Sequence, residues 1–421
     1  MLMTPGLGLF YGGMVRRKNV LATFQQSFIM LGVLGLQWVL FGYSLAFGPD
    51  AGGLGLIGNL DYVGLRGVGL DPHATYGPTI PHQLFMVYQL MFAVITPALI
   101  SGAFAERMKF SSYLVFSLLW ATFVYDPVAH WVWGGGWIST QLQALDFAGG
   151  LVVHVISGVA ALCCVLAMGR RKGLGEEEMH PHNLTMTALG TGLLWFGWFG
   201  FNAGSALAAN KSAVAAFVNT NTAAAAAAVG WSLIEFFHKG KITVLGTCSG
   251  AVAGLVAITP CAGYVTPMSS ILIGLTVSFA CYGAIMLKAK LNYDDSLDVF
   301  GVHGVGGAFG ALAVGVFAVK GISGDVSGLL DGNPSQLLNQ AISLVAAGGY
   351  SLVVTFGLLK LIDLTMGLRV STEEEEVGLD LTQHGERGYI MGVGELMGGH
   401  EGTSSAHLSH TLQSAGRPVT V

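Results

Sequence analysis

Long stretches without a charged side chain dominate this sequence. Of the 421 residues, 52% are hydrophobic and only 10% are charged, which is too few to cover a soluble protein of this size. A helix that crosses a bilayer needs about 20 mostly apolar residues. Ten such helices are predicted near residues 20–47, 84–105, 110–130, 147–168, 184–206, 212–237, 243–259, 268–288, 299–319 and 339–363. The sequence therefore predicts an all-α polytopic membrane protein.

An eleventh apolar segment stands at the start of the chain. Residues 1–14 read MLMTPGLGLFYGGM and run directly into Arg16, Arg17 and Lys18. The basic residues follow the apolar stretch instead of preceding it, which is unlike a signal peptide. The segment is too short to span a bilayer, so either translation starts upstream or the helix is incomplete. We therefore expect eleven transmembrane helices with the first one truncated.

Lysine and arginine are distributed unevenly between alternate loops. One set of loops holds Arg16, Arg17, Lys18, Arg107, Lys109, Arg170, Arg171, Lys172, Lys239, Lys241, Lys288 and Lys290, and the other set holds Arg66, Lys211 and Lys320. Loops rich in these residues stay in the cytoplasm. The start of the chain and Asp146 are thus expected outside and the tail from Met366 inside, in a multi-pass protein of the plasma or inner membrane.

Two stretches place a single histidine inside an uncharged segment behind an acidic residue. They are DFAGGLVVH, at 146–154, and DVFGVHG, at 298–304. A histidine in hydrocarbon is costly unless it lines a cavity or has a partner. We expect His154 and His303 to be each other's partner in a narrow path. A purely structural hydrogen bond remains open for either histidine alone.

A zinc site is the main alternative interpretation of a pair of histidines. We expect no metal, because no third ligand lies at suitable spacing on either helix. The aspartates 126, 294, 295 and 298 are expected to flank helix ends, with Asp298 as a cap. Glu106 and Arg107 are expected to pair with each other. The cysteines lack metal-type spacing and are expected to be packing residues.

An internal repeat is indicated by FYGGMVRRKN, at 10–19, and GFNAGSALAAN, at 200–210. The two histidines lie in the fifth and tenth helices. A unit of five helices must be inverted in its second copy, as is common in transporters with a site near the midplane. We therefore expect a 5+5 inverted repeat followed by one final helix.

The composition changes after residue 365. The chain is expected to divide into a transmembrane domain, 1–365, and a cytoplasmic tail, 366–421. The tail begins with a charged segment, GLRVSTEEEEVGLDLTQHGERGY, at 367–389. The last ~30 residues are rich in Gly, Ser and His and are expected to be disordered.

Several long motifs resemble the ammonium transporter family, on its Amt and Mep side. They are LMTPGLGLFYGGMVRRKNVL, AFAERMKF, AHWVWGGGW, ALDFAGGLVVH, GWFGFNAGSA, DVFGVHGVGG and DLTMGLRV. The resemblance implies a homotrimer in which each subunit of eleven helices has its own pore. It implies an outer ammonium site at Phe92, Trp133 and Ser205, a phenyl gate at Phe92 and Phe201, and twin histidines at His154 and His303. Asp146 matches an acidic residue that is structural or assists deprotonation.

The chemistry of these residue types agrees with that function. Aromatic faces hold a cation as it leaves water, and a hydroxyl such as Ser205 accepts an N–H bond that potassium cannot donate. An unpaired charge is costly in an apolar bore, so a solute that gives up its proton passes more easily. We therefore expect a transporter or channel for ammonium or ammonia. We expect no enzyme activity and no bound cofactor. The alternative is an ammonium sensor that signals through a cytoplasmic partner. The family resemblance also implies a PII-type nitrogen-signalling protein as a partner on the cytoplasmic face, and nucleic acid is not an expected partner.

Overall fold

Most of the described chain is helical, and most of the helices are long and apolar. The computed structural model describes residues 1–322 and 324–389. Its principal helices are α1 (Met3–Met14), α2 (Arg17–Phe47), α3 (His82–Phe104), α4 (Phe110–Val132), α5 (Gly150–Met168), α6 (Leu184–Ala206), α7 (Lys211–Lys239), α8 (Val244–Ile258), α9 (Pro267–Leu291), α10 (Phe300–Phe317), α11 (Pro334–Met366), α12 (Thr372–Val377) and α13 (Leu379–His384). A helix therefore occupies each of the ten predicted ranges.

Within residues 1–322 and 324–389, nine helices are long and apolar enough to cross a membrane. They are α2 to α7 and α9 to α11. The apolar α8 has 15 residues and α1 has 12. These two are shorter than a usual span, so the count of eleven transmembrane helices stays a prediction.

Shorter elements interrupt or connect these helices. Turns with π-helical bonding occur at Trp38–Gly42, Ala121–Tyr125, Ile138–Leu142, Gly150–Val155 and Phe300–Gly304, and 3₁₀ turns at Arg17–Asn19, Val63–Leu65, Ser101–Phe104, Gly204–Ala206 and Leu329–Asp331. The strands β1 (Pro72–His73) and β2 (Gly77–Pro81) pair antiparallel in the loop before α3. The segment WGGGW, at 133–137, follows the end of α4 directly.

The first helix is part of the protein core despite its length. It packs along α6, and the side chains of Met3, Leu7, Phe10 and Tyr11 are buried. The hydroxyl of Tyr11 donates to the carbonyl of Leu99 in α3 at 3.0 Å. The apolar side chains of α1, which is too short to span a bilayer, therefore pack into the protein core.

Two expectations about charged residues are wrong. Asp126 does not flank a helix end, because it lies inside α4, fully buried, where it accepts a hydrogen bond from Gln37 at 2.8 Å. Glu106 and Arg107 do not pair with each other. Glu106 binds Arg16 at 2.7 Å, whereas the buried Arg107 donates to the carbonyl of Asp294 at 2.6 Å. The positive φ of Glu106, 75°, turns the chain there, so the two neighbouring side chains reach different partners.

The first part of the tail packs on the loops at one end of the bundle. Ser371 and Glu374 form a capping box at the start of α12. Glu375 is buried and accepts hydrogen bonds from the guanidinium of Arg369 and the backbone N–H of Lys172, each at 2.7 Å. Asp380 accepts from the backbone N–H of Ala22 at 2.8 Å. The last ~30 residues, which are expected to be disordered, lie outside the described residues.

Candidate functional site

His154 and His303 lie against each other where α5 meets α10. Their Nδ1 atoms are 3.2 Å apart, and their ring centroids are 5.2 Å apart with the planes inclined by 21°. Both side chains are buried, at 1% and 4% exposed. At this distance the Nδ1–H of one ring donates to the Nδ1 lone pair of the other. A neutral pair therefore leaves one Nε2 as an acceptor and the other as a donor.

Both histidines lie in a π-helical turn at the start of their helix. These turns are Gly150–Val155 and Phe300–Gly304. A π turn holds one extra residue per turn and is often found at functional sites, because it shifts a side chain out of the regular α-helical register. The two helices thus present their histidines in the same local way.

Glycines allow α5 and α10 to approach closely. A Cβ on Gly158 would lie 2.2 Å from the backbone nitrogen of Gly304, and a Cβ on Gly307 would lie 2.7 Å from the Cβ of His154. Each glycine follows a histidine by four residues in the chain, so each lies beside a histidine on the same helix face. Small residues at such contacts let membrane helices pack backbone to backbone. This contact sets the short distance between the imidazoles.

An aspartate caps the start of each histidine helix. The carboxylate of Asp146 accepts hydrogen bonds from four backbone N–H groups, those of residues 149 to 152, at 2.6 to 3.3 Å. On the other helix, Asp295 accepts from Val299 and Phe300 at 3.0 and 2.7 Å. Each aspartate stands eight residues before its histidine. The first N–H groups of a helix have no internal acceptor, so the carboxylates satisfy them.

The prediction that Asp298 caps the second helix is therefore wrong. Asp298 has a positive φ of 61°, and its carboxylate forms an ion pair with Lys288. That turn directs the side chain away from the helix start and leaves the capping position to Asp295. Asp298 instead lines a cavity with His303, Tyr11 and Ser249, which we call the Asp298 cavity.

The imidazoles line a narrow cavity with apolar walls, which we call the histidine cavity. Its other lining residues are Met3, Leu7, Phe10, Ile95, Leu99, Val153, Leu194, Trp198, Phe201 and Val252. His303 lines this cavity and the Asp298 cavity alike. Among the described residues, His154 Nε2 has no hydrogen-bond partner. A small polar molecule in the cavity would satisfy it.

The opposite end of the histidine cavity meets a pair of phenyl rings. Phe201 lines the histidine cavity, and Phe92 lines a wider cavity beyond it. The two rings are 4.4 Å apart between centroids and inclined by 44°, so they are tilted against each other instead of stacked. Phe92 is 1% exposed and Phe201 is 7% exposed. The ring pair separates the two cavities.

The wider cavity, which we call the vestibule, has an empty volume of about 650 Å³. Its lining residues are Thr75, Tyr76, Phe85, Gln89, Phe92, Val132, Trp133, Phe147, Ser205 and Leu207. The ring of Trp133 lies edge-on to that of Phe92 at 5.6 Å, and its Nε1–H donates to the carbonyl of Asp146 at 2.9 Å. The structure therefore brings together Phe92, Trp133 and Ser205, and it links them to the cap of the first histidine helix.

Three residues of this region were missed by the sequence analysis. The Tyr88 hydroxyl lies 3.1 Å from Ser205 Oγ and donates to the carbonyl of Phe201 at 2.7 Å. Gln89 lines the vestibule. The indole of Trp198 lies nearly parallel to His154 at 5.6 Å. Tyr88 and Gln89 stand four and three residues before Phe92, and this spacing could have placed them on its face of α3.

Charged residues surround the start of α10, outside the membrane-spanning segments. Burial alone would raise the pKa of Asp294, but the Arg171 guanidinium, bound at 2.9 Å, and then Arg107 outweigh it and hold that pKa below its usual value. Burial raises the pKa of Asp295 to about 6, because Lys288 and the capped N–H groups offset only part of the cost. The cap of the second histidine helix therefore titrates near neutral pH.

A family model described as the Ammonium Transporter Family matches residues 1–389. The "Ammonium transporter" of Bacillus subtilis is 54% identical over 390 residues, covering 92% of this chain and 95% of the relative. The "Ammonium transporter Amt1" of Archaeoglobus fulgidus is 50% identical, covering 92% and 96%.

Solved structures agree with these relatives. Mep2 of Candida albicans has a TM-score of 0.84 at 38% identity, covering 92% of this chain and 87% of that one. A structure named "Sensor Amt Protein" has a TM-score of 0.82 at 30% identity, covering 91% and 95%. The chain therefore belongs to the ammonium transporter family.

Proposed function

We propose that this protein moves ammonium or ammonia across the membrane through the path formed by the vestibule, the phenyl pair and the histidine cavity. The observation that carries the proposal is the 3.2 Å contact between His154 and His303 inside a cavity that adjoins the vestibule on one side and the Asp298 cavity on the other. A purely structural histidine pair would not need to line a cavity.

Ammonium is recruited in the vestibule. The rings of Phe92 and Trp133 offer aromatic faces, each of which contributes on the order of 0.5 to 2 kcal/mol to binding a cation. Ser205 supplies a hydroxyl oxygen that accepts an N–H bond. Its hydrogen is engaged by the carbonyl of Phe201 at 3.0 Å, which leaves the oxygen lone pairs for the cation.

Loss of the proton follows at the phenyl pair. The walls beyond Phe92 and Phe201 are apolar except for the imidazoles, so a full charge would lose its water there without replacement. Neutral ammonia has no such penalty and finds an acceptor and a donor on the histidine pair. Potassium has no proton to release, so the same cavity excludes it. The released proton is either returned outside or relayed separately along the pair.

In this mechanism Asp146 has a structural role. Its four N–H bonds engage its carboxylate oxygens and fix the start of the helix that carries His154. The Trp133 indole is bound to its backbone carbonyl, so one residue aligns the recruiting ring with the histidine helix. The resemblance also implies a second role, assistance in deprotonation, which the variants Asp146→Ala and Asp146→Asn distinguish from the structural one.

We also propose that the protein is a homotrimer in the cell membrane with its tail in the cytoplasm. The family resemblance supports the trimer, and the excess of Lys and Arg in the loops on the Asp295 side supports the orientation. The same resemblance supports a PII-type nitrogen-signalling protein as a partner at the tail face. Recovery of that protein from membranes that contain the chain with and without residues 366–421 tests this, and equal recovery would contradict docking to the tail.

The alternative function is that of an ammonium sensor. It is favoured by one observation, the likeness to the structure named Sensor Amt Protein, at 30% identity. The relatives named as transporters are 42% to 54% identical over a similar share of the chain, so they support transport more strongly.

Current recording on reconstituted protein tests the proposed function. Proteoliposomes and protein-free liposomes receive an ammonium pulse at two pH values, and a potassium pulse serves as the control. We expect uptake of ammonium, as a current or as an internal pH change, and no response to potassium. No response to ammonium by either readout, or an equal response to potassium, would contradict the proposal.

A further inference from the structure

Helix α5 starts from a buried stretch of chain without regular secondary structure. Residues 143–149 form neither helix nor strand, and Leu145 and Asp146 within them are 7% and 6% exposed. Buried backbone N–H and C=O groups need partners, which a helix or a strand would otherwise supply. The carbonyl of Asp146 is bound by the Trp133 indole. The backbone groups of Leu145 must therefore find their partners elsewhere in the protein.

Gln340 of α11 supplies these partners. Its Oε1 accepts from the backbone N–H of Leu145 at 2.6 Å, and its Nε2 donates to the carbonyl of Leu145 at 2.8 Å and to the carbonyl of Ala311 in α10 at 2.9 Å. The side chain is fully buried. These bonds use both N–H groups and the carbonyl of the amide. One side chain therefore joins the residue before Asp146 to the helix that carries His303.

A glycine lets α11 lie close enough to α10 for these bonds. A Cβ on Gly315 would lie 3.0 Å from the Cγ of Gln340 and 2.9 Å from the Cα of Leu337. Gly315 follows Ala311 by four residues, so the two share one face of α10. Small residues at such contacts let membrane helices pack backbone to backbone. The amide of Gln340 is thus built into a close contact between two helices.

We propose that Gln340 is a positioning residue for ammonium recruitment and for the histidine pair. The inference rests on the proposed function. Gln340 lines neither the vestibule nor the histidine cavity, so it acts through Asp146. It holds Asp146 through the preceding residue, while the Trp133 indole holds the Asp146 carbonyl. Loss of the Gln340 bonds would free the capping aspartate, and the Trp133 ring and His154 would shift with it.

A second contact of α11 supports the same helix beyond the histidine. Ser351 Oγ donates to the carbonyl of Ile156 at 2.8 Å, two residues after His154. Ser351 is fully buried, as Gln340 is. Side chains of α11 therefore bind the chain on both sides of His154. Because α11 is the final helix, outside the predicted repeat, it braces the histidine helices without carrying a pore histidine.

The test measures the ammonium response of the full-length protein in proteoliposomes as a function of concentration. Gln340→Met keeps the length of the side chain and removes all three bonds. We expect the half-saturating ammonium concentration to rise about three- to tenfold, the usual size of an effect transmitted through a neighbouring residue. A purely structural role would lower the number of active molecules and so the maximal response, but it would leave half-saturation unchanged.

Gln340→Glu is the milder variant, and it carries the test if Gln340→Met does not fold. A carboxyl group at this buried position takes up a proton to avoid an unpaired charge. It then keeps the bond from Leu145 N–H and one of the two donated bonds. We expect a half-saturating concentration between those of the wild type and Gln340→Met.

Hydrogen exchange of the amides of residues 149–152 reads the start of α5 directly. These are the four groups that Asp146 caps, and we expect them to exchange faster in Gln340→Met. Tyr350→Phe is the matched control on α11. It removes a 2.8 Å bond from the Tyr350 hydroxyl to the carbonyl of Phe123 in α4, and Tyr350 lines neither cavity. We expect wild-type exchange and half-saturation in this control.

The two proposals fail in different ways. A wild-type protein without any ammonium response would refute the proposed function. A wild-type protein that responds, with unchanged half-saturation in both Gln340 variants, would refute only the positioning role, whatever their melting temperatures. Unchanged exchange at residues 149–152 in Gln340→Met would also refute that role, because other contacts would then fix the start of α5.

Discussion

Single residues decide how close the imidazoles lie. Gly158 and Gly307 each leave room for the backbone of the opposite helix, and a methyl group at either position would overlap it. Dense packing means that such an overlap is relieved only by moving a helix or a side chain. The distance between His154 and His303 therefore depends on two residues that carry no functional group.

Gly307→Ala is expected to destabilise the protein by about 1 to 3 kcal/mol, because its Cβ would lie 2.7 Å from that of His154. It should also lower ammonium flux, since the imidazoles are pushed apart. Thermal unfolding and proteoliposome flux measure the two effects. Gly349→Ala is the control, because a Cβ there meets nothing within 4 Å. Equal effects of the two substitutions would contradict the close contact.

Asp295 gives the protein a predictable response to pH. Its folded-state pKa is raised to about 6, above the ordinary value of 3.8, so its contribution to stability is complete below the ordinary value and is lost as pH rises through 6. Relative to Asp295→Asn, the wild type should lose roughly 1 kcal/mol between pH 5 and pH 7. Thermal unfolding of both proteins over this range measures the change. A constant difference between them would show that Asp295 does not titrate there.

At the scale of elements, the histidine helices α5 and α10 share the same local features and run in opposite directions. Each has a capping aspartate eight residues before the histidine, a π turn at the histidine and a glycine four residues after it. The Asp146 end lies at the vestibule, whereas the Asp295 end adjoins Asp294, which binds Arg171 just beyond the end of α5. The shared features support the predicted inverted repeat.

Much of this arrangement was predictable from the sequence. The uncharged intervals indicated the long helices, because hydropathy alone decides which segments suit a bilayer. The histidines were predictable because an imidazole in such a segment needs a partner. Asp295 was expected only to flank a helix end, and the capping role was assigned to Asp298, although Asp295 shares the eight-residue spacing of Asp146. Tyr88 and Gln89 could have been placed on the face of α3 that carries Phe92 by their spacing, whereas the contact of that face with α6 is not indicated by one sequence.

Substitution of Asp146 separates its structural role from a chemical one. Asp146→Ala removes the acceptor of four N–H groups and is expected to cost at least about 1 to 2 kcal/mol of stability. Asp146→Asn keeps one acceptor and should be intermediate in both stability and flux. Thermal unfolding and flux are measured for each variant. Full stability of Asp146→Asn with complete loss of flux would favour direct participation in deprotonation.

At the scale of the whole molecule, the tail is tied to the ends of the pore helices. Arg369 binds Glu375 and also donates to the carbonyl of Met168, the last residue of α5, at 3.1 Å. The N–H of Leu379 donates to the side chain of Asn19 at 2.8 Å. A partner that displaces the tail would therefore act on the end of the helix that carries His154.

Glu375→Gln is expected to loosen this attachment. Removal of the charge weakens the bonds to Arg369 and Lys172, and a loss of about 1.4 kcal/mol would raise the open population about tenfold. The rate of trypsin cleavage after Arg369 measures that population. Glu373→Gln, a change at an exposed neighbour, should leave the rate near that of the wild type. An unchanged rate in Glu375→Gln would mean that other contacts hold the tail.

The most direct test of the whole mechanism is the ammonium and potassium response of His154→Ala beside the wild type, with assembly checked by size. The wild type is expected to respond to ammonium and not to potassium. The variant is expected to assemble normally and to lose the ammonium response or gain a potassium leak. Unchanged ammonium flux and unchanged selectivity in the variant would contradict the claim that the paired imidazoles select the solute that gives up its proton.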